Sequence, residues 1–348
     1  MKNITVYDIA REANVSVSTV SRVLNDTAPV KASTREKVNK IIKKYQFQPN
    51  ALARSLISKA TGTIGIIVPD ITNPFFPEVF KGAETEARAK GYTFFLCDTE
   101  GDYERESEYL SILKEKRVDG IVFLGGRINL ARCSPKLAEE VTELSKQIPV
   151  VLVNGNLPKS SMYRVMTDEA AGAELATRHL IEMGHRDIAF LGGYDAMSTT
   201  SQKVKAYKRI MKEAGLPVRP EWIIHDGLSI ESGKAMMGQL IGMKERPSAV
   251  LCVNDFTAVG AVKEAIERGL RIPEDISVVG YDDTHLSTAI IPELTTVTQH
   301  TYELGKQAVQ ILHQLINREE TRKLTLFQPE LVVRQSTGPY HELAPKVE

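Results

Sequence analysis

Val17, Ser18, Ser21 and Arg22 are spaced so that one helix presents them together on a single face. Three short side chains and one guanidinium suit the floor of a DNA major groove, where acidic groups would be repelled. An arginine there can fork onto the N7 and O6 of guanine. The other chemistry-bearing side chains form no working set. His179, His185, His225, His285, His300, His313 and His341 show neither metal-ligand spacing nor the order of a nucleophile and its base. Cys97, Cys133 and Cys252 are isolated, so reduced thiols are expected, with Cys97 and Cys252 in the core. The GGY at 192–194 is not a dinucleotide fingerprint, and no GxxxxGK[ST] loop occurs. An enzyme is therefore not expected, and neither is a cofactor or a metal.

Two short helices must position the groove-facing residues. Ile9, Ala10 and Ala13 lie on one face of the first; Val20, Val23 and Leu24 do the same for the second. Asn14-Val15-Ser16 supplies the turn between them, with the Ser16 hydroxyl placed to cap the second helix. A third helix is expected from about Ser33 to Tyr45, started by a Ser33–Glu36 capping box and closed onto the pair by Val38, Ile41 and Ile42. Pro49 then ends that element, and Asn50 can cap a helix over residues 51–57 that is too short to hold alone in water.

Charge separates this head from the rest. Residues 1–60 carry eleven Lys and Arg against four Asp and Glu, whereas the remainder carries 33 against 40, although the whole chain balances at 44 of each. A basic head on an acidic body fits a polyanion-binding module joined to something else. Hydrophobic content of 42% and charged content of 25% are ordinary for a soluble protein. The start, MKNITVYDIA, lacks the apolar run of a secretion signal, and no stretch approaches the roughly 18–20 apolar residues that span a bilayer. A cytoplasmic location with no membrane partner is expected.

From Thr63 onward, apolar runs alternate with amphipathic helical patterns. The runs are 63–68, 93–97, 120–124, 149–153, 188–193, 249–253 and 276–282. Continuous apolar strands separated by helices imply parallel sheets covered on both faces. The expected fold class is therefore α/β: a three-helix helix-turn-helix head and hinge helix, then two doubly wound parallel-sheet lobes. The expected domains are 1–48 (DNA-binding), 49–60 (hinge), a core over 61–340 and a tail over 341–348. Within the core, one lobe is expected over about 61–161 and 291–323, the other over about 162–290 and 324–340, with a ligand between them beyond the carboxyl ends of the strands.

The order of these parts, and the motifs VYDIAREANVSVSTVSRVLN, YQFQPNALARSL, PDITNPFF, HLIEMGHRDIAFLGG, VNDFTAVGA, IPEDISVVGYDD and PELTTVTQ, resemble the LacI/GalR family of bacterial repressors from about Ile4 to Thr337. VDGIVFLGG and KVKAYKR are most similar to the catabolite control branch. The resemblance implies a periplasmic-binding-protein type of core and a cytoplasmic homodimer on a pseudo-palindromic operator. It places Val17, Ser18 and Arg22 at base edges, and Thr5, Tyr7, Ser16, Thr19, Ser21 and Asn25 at phosphates. Leu56, with Ala53 beside it, matches the wedge that opens a central base step from the minor groove.

The same resemblance implies an effector site. Phe75 and Phe76 stand where family members place aromatics over a ring, and Asn254 and Asp282 match positions that hydrogen-bond effector hydroxyls. Asp168 matches a further acidic position in the cleft. Lys203 departs from the pattern, replacing an Arg three residues before a Gly that is here Ala206. A point charge instead of a planar fork gives weight to a sugar phosphate or an acid sugar beside a free sugar. The catabolite branch also uses a phosphorylated phosphocarrier protein, held by a Tyr and an Arg eight residues apart. Tyr302 is present, but Gln310 replaces the Arg, so that co-repressor is not expected. The tail after Gly338 has no leucine heptad, so a tetramer is not expected either. The expectation is a carbohydrate-responsive repressor; the alternatives are a global catabolite-type regulator with a protein co-repressor and a purine-responsive repressor.

Overall fold

The computed structural model describes residues 4–25, 28–47 and 60–340. The chain divides into one unit over residues 1–62 and a second from residue 63 onward. The expected hinge helix over 51–57, with Ala53 and Leu56, and the tail over 341–348 lie outside the described residues.

The first unit holds α1 (Val6–Ala13), α2 (Val17–Asn25) and α3 (Ala32–Lys44). Its core is Ile9, Ala10, Ala13, Val20, Val23, Val38 and Ile41, with Leu24 and Ile42 packed against its margin. Asn14 takes a left-handed backbone at φ 52° and turns the chain, and Ser16 Oγ then accepts from the amide of Thr19 at 3.2 Å, as the turn reading required. The capping box falls elsewhere than expected. It joins Thr5 to Asp8 at the start of α1. Helix α3 begins at Ala32, and its N-cap, Lys31, offers no side-chain bond. Ser33 is therefore already inside the helix, which leaves it unable to cap.

The second unit holds two sheets. In chain order its elements are β1 (Thr63–Val68), α4 (Phe75–Ala89), β2 (Thr93–Asp98), α5 (Tyr103–Glu115), β3 (Gly120–Leu124), α6 (Pro135–Ser145), β4 (Val150–Val153), β5 (Tyr163–Thr167), α7 (Glu169–Glu182) and β6 (Ile188–Leu191). They continue with α8 (Ser198–Glu213), β7 (Ile223–Ile224), α9 (Ile230–Ile241), β8 (Ala249–Cys252), α10 (Asp255–Glu267), β9 (Ser277–Val279), β10 (Thr296–Thr298), α11 (Thr301–Ile316), β11 (Leu324–Phe327) and β12 (Glu330–Val332).

The first lobe carries a six-stranded sheet in the order β11-β5-β4-β3-β1-β2, parallel throughout. Helices α4 and α11 bury one face of it, and α5 and α6 the other. Gly82 and Gly305 let α4 and α11 touch backbone to backbone: a Cβ on Gly82 would lie 1.9 Å from the carbonyl oxygen of Tyr302, and one on Gly305 1.9 Å from that of Val79. The second lobe carries the parallel order β7-β6-β8-β9, covered by α9 and α10 on one face and α7 and α8 on the other. An antiparallel ribbon of β10 and β12 extends its edge through the Val279–Thr295 and Asp282–Thr298 bridges. Cys97 and Cys252 are buried in these cores, and burial pushes the Cys97 thiol up to about 11.

Each crossing between lobes falls later than the sequence suggested. The strand β5 belongs to the first sheet, so the chain leaves after Thr167 rather than near Ser161. It returns after Gln299 rather than near Ile290, because β10 still pairs within the second lobe. β11 pairs with β5, so the last crossing falls at 328–329. The half-buried alternation of β5 and β11 gives no continuous apolar run, which is why neither registers as a buried strand. The three crossings are stitched together. Thr167 Oγ1 donates to the carbonyl of Gln299 at 3.0 Å, the amide of Asp168 to that of Phe327 at 3.2 Å, and His300 Nε2 lies 3.0 Å from the carbonyl oxygen of Gln328.

Candidate functional site

In the first unit, packing of α1 against α2 and α3 leaves Val17, Ser18 and Arg22 exposed and Ser21 half-buried on the outer face of α2. The Oγ of Ser16 lies 2.8 Å from both Ser18 Oγ and Thr19 Oγ1, which gathers three hydroxyls at the N-terminus of the helix. Unpaired amides and the dipole make that end favourable to a phosphate oxygen. Thr5 is also exposed, although its side chain is engaged with Asp8, and Tyr7 projects with 69% of its surface free. Asn25 is the last residue of α2.

In the second unit, a cleft of about 750 Å³ opens between the lobes. Residues just beyond the carboxyl ends of the strands line it: Asp70 after β1, Asn154 after β4, Asn254 after β8 and Asp282 after β9. This is where parallel sheets gather ligands, because loops and helix N-termini converge there. Of the six expected effector residues, Phe75, Phe76, Lys203, Asn254 and Asp282 line the cleft. The two phenylalanines meet edge to face, with ring centroids 5.2 Å apart. Asn73 seats them, its Oδ1 accepting from the amide of Phe75 at 3.1 Å. Phe75 is also part of the first lobe's core, which leaves Phe76 as the more available ring.

Asp168 is the exception. Its carboxylate caps α7, accepting from the amide of Ala171 at 3.0 Å, and it does not line the cleft. The next residue, Glu169, does so instead and is 4% exposed. Lys203 Nζ stands 3.2 Å from Glu169 Oε2, donates to the carbonyl of Val253 at 2.9 Å, and lies 3.5 Å from the centroid of the Tyr281 ring. The ion pair is off the axis of a hydrogen bond, so Glu169 Oε2 accepts none.

A buried chain crosses the floor of the cleft. Asn154 Nδ2 donates to Gln299 Oε1 at 2.7 Å, and Gln299 Nε2 donates to Asp282 Oδ1 at 2.5 Å. Burial pushes the Asp282 carboxyl well above its ordinary range, against the pull of Lys203 and of the Gln299 hydrogen bond. Asp282 and Asp283 take positive φ values of 108° and 54°, a strained backbone for non-glycine residues. Asp255 holds this turn from behind. Its Oδ2 accepts from the amide of Thr284 at 2.7 Å, and its Oδ1 from the Thr296 hydroxyl at 2.5 Å. Burial raises the Asp255 carboxyl to about 7.

Three of the four buried side-chain oxygens without a hydrogen-bond partner among the described residues belong to cleft-lining residues: Asn129 Oδ1, Glu169 Oε2 and Thr200 Oγ1. A buried network sets Asn129 in place. Arg127 is fully buried, donates to Glu106 Oε2 at 2.5 Å and to Glu140 Oε2 at 2.6 Å, and so pins the turn over Gly126–Asn129. At the mouth the lobes touch directly, the amide of Ala131 donating to the carbonyl of Ala196 at 2.8 Å beside a Leu130–Met197 bridge. Sequence reasoning missed Asn129, Asn154, Glu169, Thr200 and Gln299. Asn154 and Gln299 carried a usable signal, since each is a polar residue closing a β-rich run.

Comparison with known proteins agrees with this architecture. The profile of bacterial regulatory proteins of the lacI family matches residues 5–50, and that of the periplasmic binding protein-like domain matches residues 177–337. The HTH-type transcriptional repressor PurR of Vibrio campbellii is 38% identical over 336 residues, covering 95% of this chain and 98% of its own. The chain belongs to the LacI family. Catabolite control protein A of Priestia megaterium is similar to this LacI-family regulator at 38% identity over 338 residues, 96% of this chain and 99% of its own. Among solved structures, the lac repressor dimer bound to operator and the anti-inducer ONPF matches with a TM-score of 0.85 at 27% identity, covering 97% of this chain and all of that one. The regulator thus has a helix-turn-helix DNA-binding head and a two-lobed periplasmic-binding-protein-like domain. No helix among the described residues is long and apolar enough to cross a membrane.

Proposed function

We propose that this LacI-family regulator represses transcription as a homodimer on a pseudo-palindromic operator, and that a neutral carbohydrate held between the lobes sets its operator affinity. The observation that carries the effector reading is the pair of orphaned oxygens on Asn129 and Thr200 beside the Glu169 carboxylate around one cleft. Buried acceptors without partners cost free energy that a ligand rich in hydroxyl donors recovers. Phe76 offers a ring face for sugar C–H groups. Charge argues against an anion. Asp70, Glu100 and Glu169 line the cleft, with Lys203 the one Lys or Arg among its described lining residues. Phosphate and carboxylate sugars, given weight by Lys203 on sequence alone, thereby lose it.

The DNA reading gives base edges to Val17, Ser18 and Arg22, and phosphates to Thr5, Tyr7, Ser16, Thr19, Ser21 and Asn25; it is supported by the exposure of the first three and the hydroxyl cluster. Phe95 and Leu96 on the edge strand β2, 46% and 43% exposed, and Ile291, 88% exposed, are apolar surface that a second copy would cover. Gln310 supplies no guanidinium beside Tyr302, which argues against a phosphoserine-bearing co-repressor. The test is operator selection from random DNA, repeated with a panel of free sugars and sugar phosphates. Enrichment of a palindrome whose binding shifts with a neutral sugar is expected. Failure to enrich any operator would sink the regulator reading, and a shift with sugar phosphates alone would sink the neutral one.

A further inference from the structure

We infer that Glu169 is a specificity-determining residue of the cleft, cancelling the Lys203 ammonium so that anionic ligands find no free cation there. This inference rests on the reading of the cleft as the effector site.

Lys203 is the feature that would ordinarily predict a phosphate or carboxylate ligand, because a lysine in a cleft is a point charge for an anion. Its surroundings remove that capacity. Lys203 is 4% exposed, and three groups crowd its ammonium: the Glu169 carboxylate at 3.2 Å, the Val253 carbonyl at 2.9 Å and the Tyr281 ring at 3.5 Å. An incoming phosphate would have to displace Glu169 or lie beside it, and like charges a few ångströms apart in a half-dry cleft repel strongly. The carboxylate has a second use. Glu169 Oε2 pairs with Lys203 by charge but accepts no hydrogen bond among the described residues, which leaves it acceptor capacity for a ligand hydroxyl. One side chain therefore rewards a hydroxyl and refuses an anion.

Glu169 is fixed for this task by its backbone. It opens α7 directly after the Asp168 cap, and its carbonyl accepts from the hydroxyl of Tyr281, the same side chain whose ring lies under Lys203. Gly172 makes room for that tyrosine, since a Cβ there would lie 2.1 Å from the Tyr281 hydroxyl. The cation, its counter-charge and the ring are thus set by one local arrangement.

The test uses inorganic phosphate on the full-length protein, followed by calorimetry and by thermal unfolding against chloride at matched ionic strength. Wild type should gain no more from phosphate than from chloride. Glu169→Gln, which keeps the volume and removes the charge, should bind phosphate at least tenfold more tightly than wild type. Glu169→Gln combined with Lys203→Met should lose that binding, which locates it at the ammonium. A folded E169Q without added phosphate affinity overturns the inference, as does wild-type phosphate binding that Lys203→Met abolishes. The wild-type arm decides even where E169Q fails to fold. An E169Q protein that takes phosphate, beside wild-type operator binding that no sugar in the panel shifts, upholds the gate and defeats the effector reading, so the two fail separately.

Discussion

Gln299 donates its amide nitrogen to Asp282 at 2.5 Å, and through its amide oxygen it receives Asn154 from the opposite lobe at 2.7 Å. One side chain at a crossing therefore couples a first-lobe strand end to the strained turn that faces the cleft. All three residues are largely buried at the floor of the cleft, where a hydrogen bond is electrostatically stronger than in water.

Replacing that amide exposes the cost. Gln299→Leu leaves Asn154 and Asp282 each short of a partner, and a buried group so stranded costs about 1–3 kcal/mol. The thermal midpoint should fall, and the response of operator binding to the ligand should weaken with it. A variant as stable and as responsive as wild type would show that the chain carries no energy.

On the DNA side, Arg22→Ala should lose about 1–3 kcal/mol of discrimination against the wrong base at one operator position. Fluorescence anisotropy on the selected operator and its single-base variants measures this. Arg22→Lys should restore general affinity but not the preference, because a lysine cannot fork. A uniform loss across all base variants would instead reassign Arg22 to the phosphate backbone.

Asp255 predicts a pH dependence. In the folded chain its carboxyl keeps its proton up to about pH 7, driven by burial. In the unfolded chain it releases the proton near the ordinary carboxylate value of about 4. The folded state therefore binds the extra proton between these values, and stability falls as pH rises through that window. Asp282, raised by burial as well, contributes in the same direction. Asp255→Asn should flatten the slope of thermal midpoint against pH between about 4 and 7, a window set by these two carboxyl values. An unchanged slope would assign the dependence to other groups.

Gly82→Ala tests the contact between α4 and α11. The added Cβ would meet the Tyr302 carbonyl at 1.9 Å, and backbone cannot swing aside as a side chain can. Overpacking of this kind costs about 1–3 kcal/mol or more. Gly91, also glycine but with open space around its missing Cβ, is the control: its positive φ of 81° gives a strain cost without a clash. Circular dichroism melts should rank Gly82→Ala as the more damaging of the two.

The helical head was legible almost residue by residue, because a core as small as Ile9, Ala13, Val20, Val23 and Val38 leaves little freedom in which face points inward. The lobes were legible wherever a strand is buried on both faces, as at β1, β3 and β8. They were illegible at β5 and β11, whose half-exposed residues look like loop, and the lobe boundaries slipped by several residues for that reason. At the cleft, motif resemblance reached five of the lining positions but not the contacts among them. Asp168 and Glu169 are adjacent acids, and only helix geometry decides which one caps and which one faces inward. The neutralisation of Lys203 likewise depends on residues 34, 50 and 78 positions away in sequence, which no local pattern connects.

The stitched crossings at Thr167–Asp168, Gln299–His300 and Gln328–Pro329 have a mechanical consequence. Three short spans fastened side by side are laid out like the knuckles of a door, an arrangement that favours swinging of the lobes about that seam over sliding across it. On the proposed function, occupants of the cleft would then act on the lobes through the angle between them.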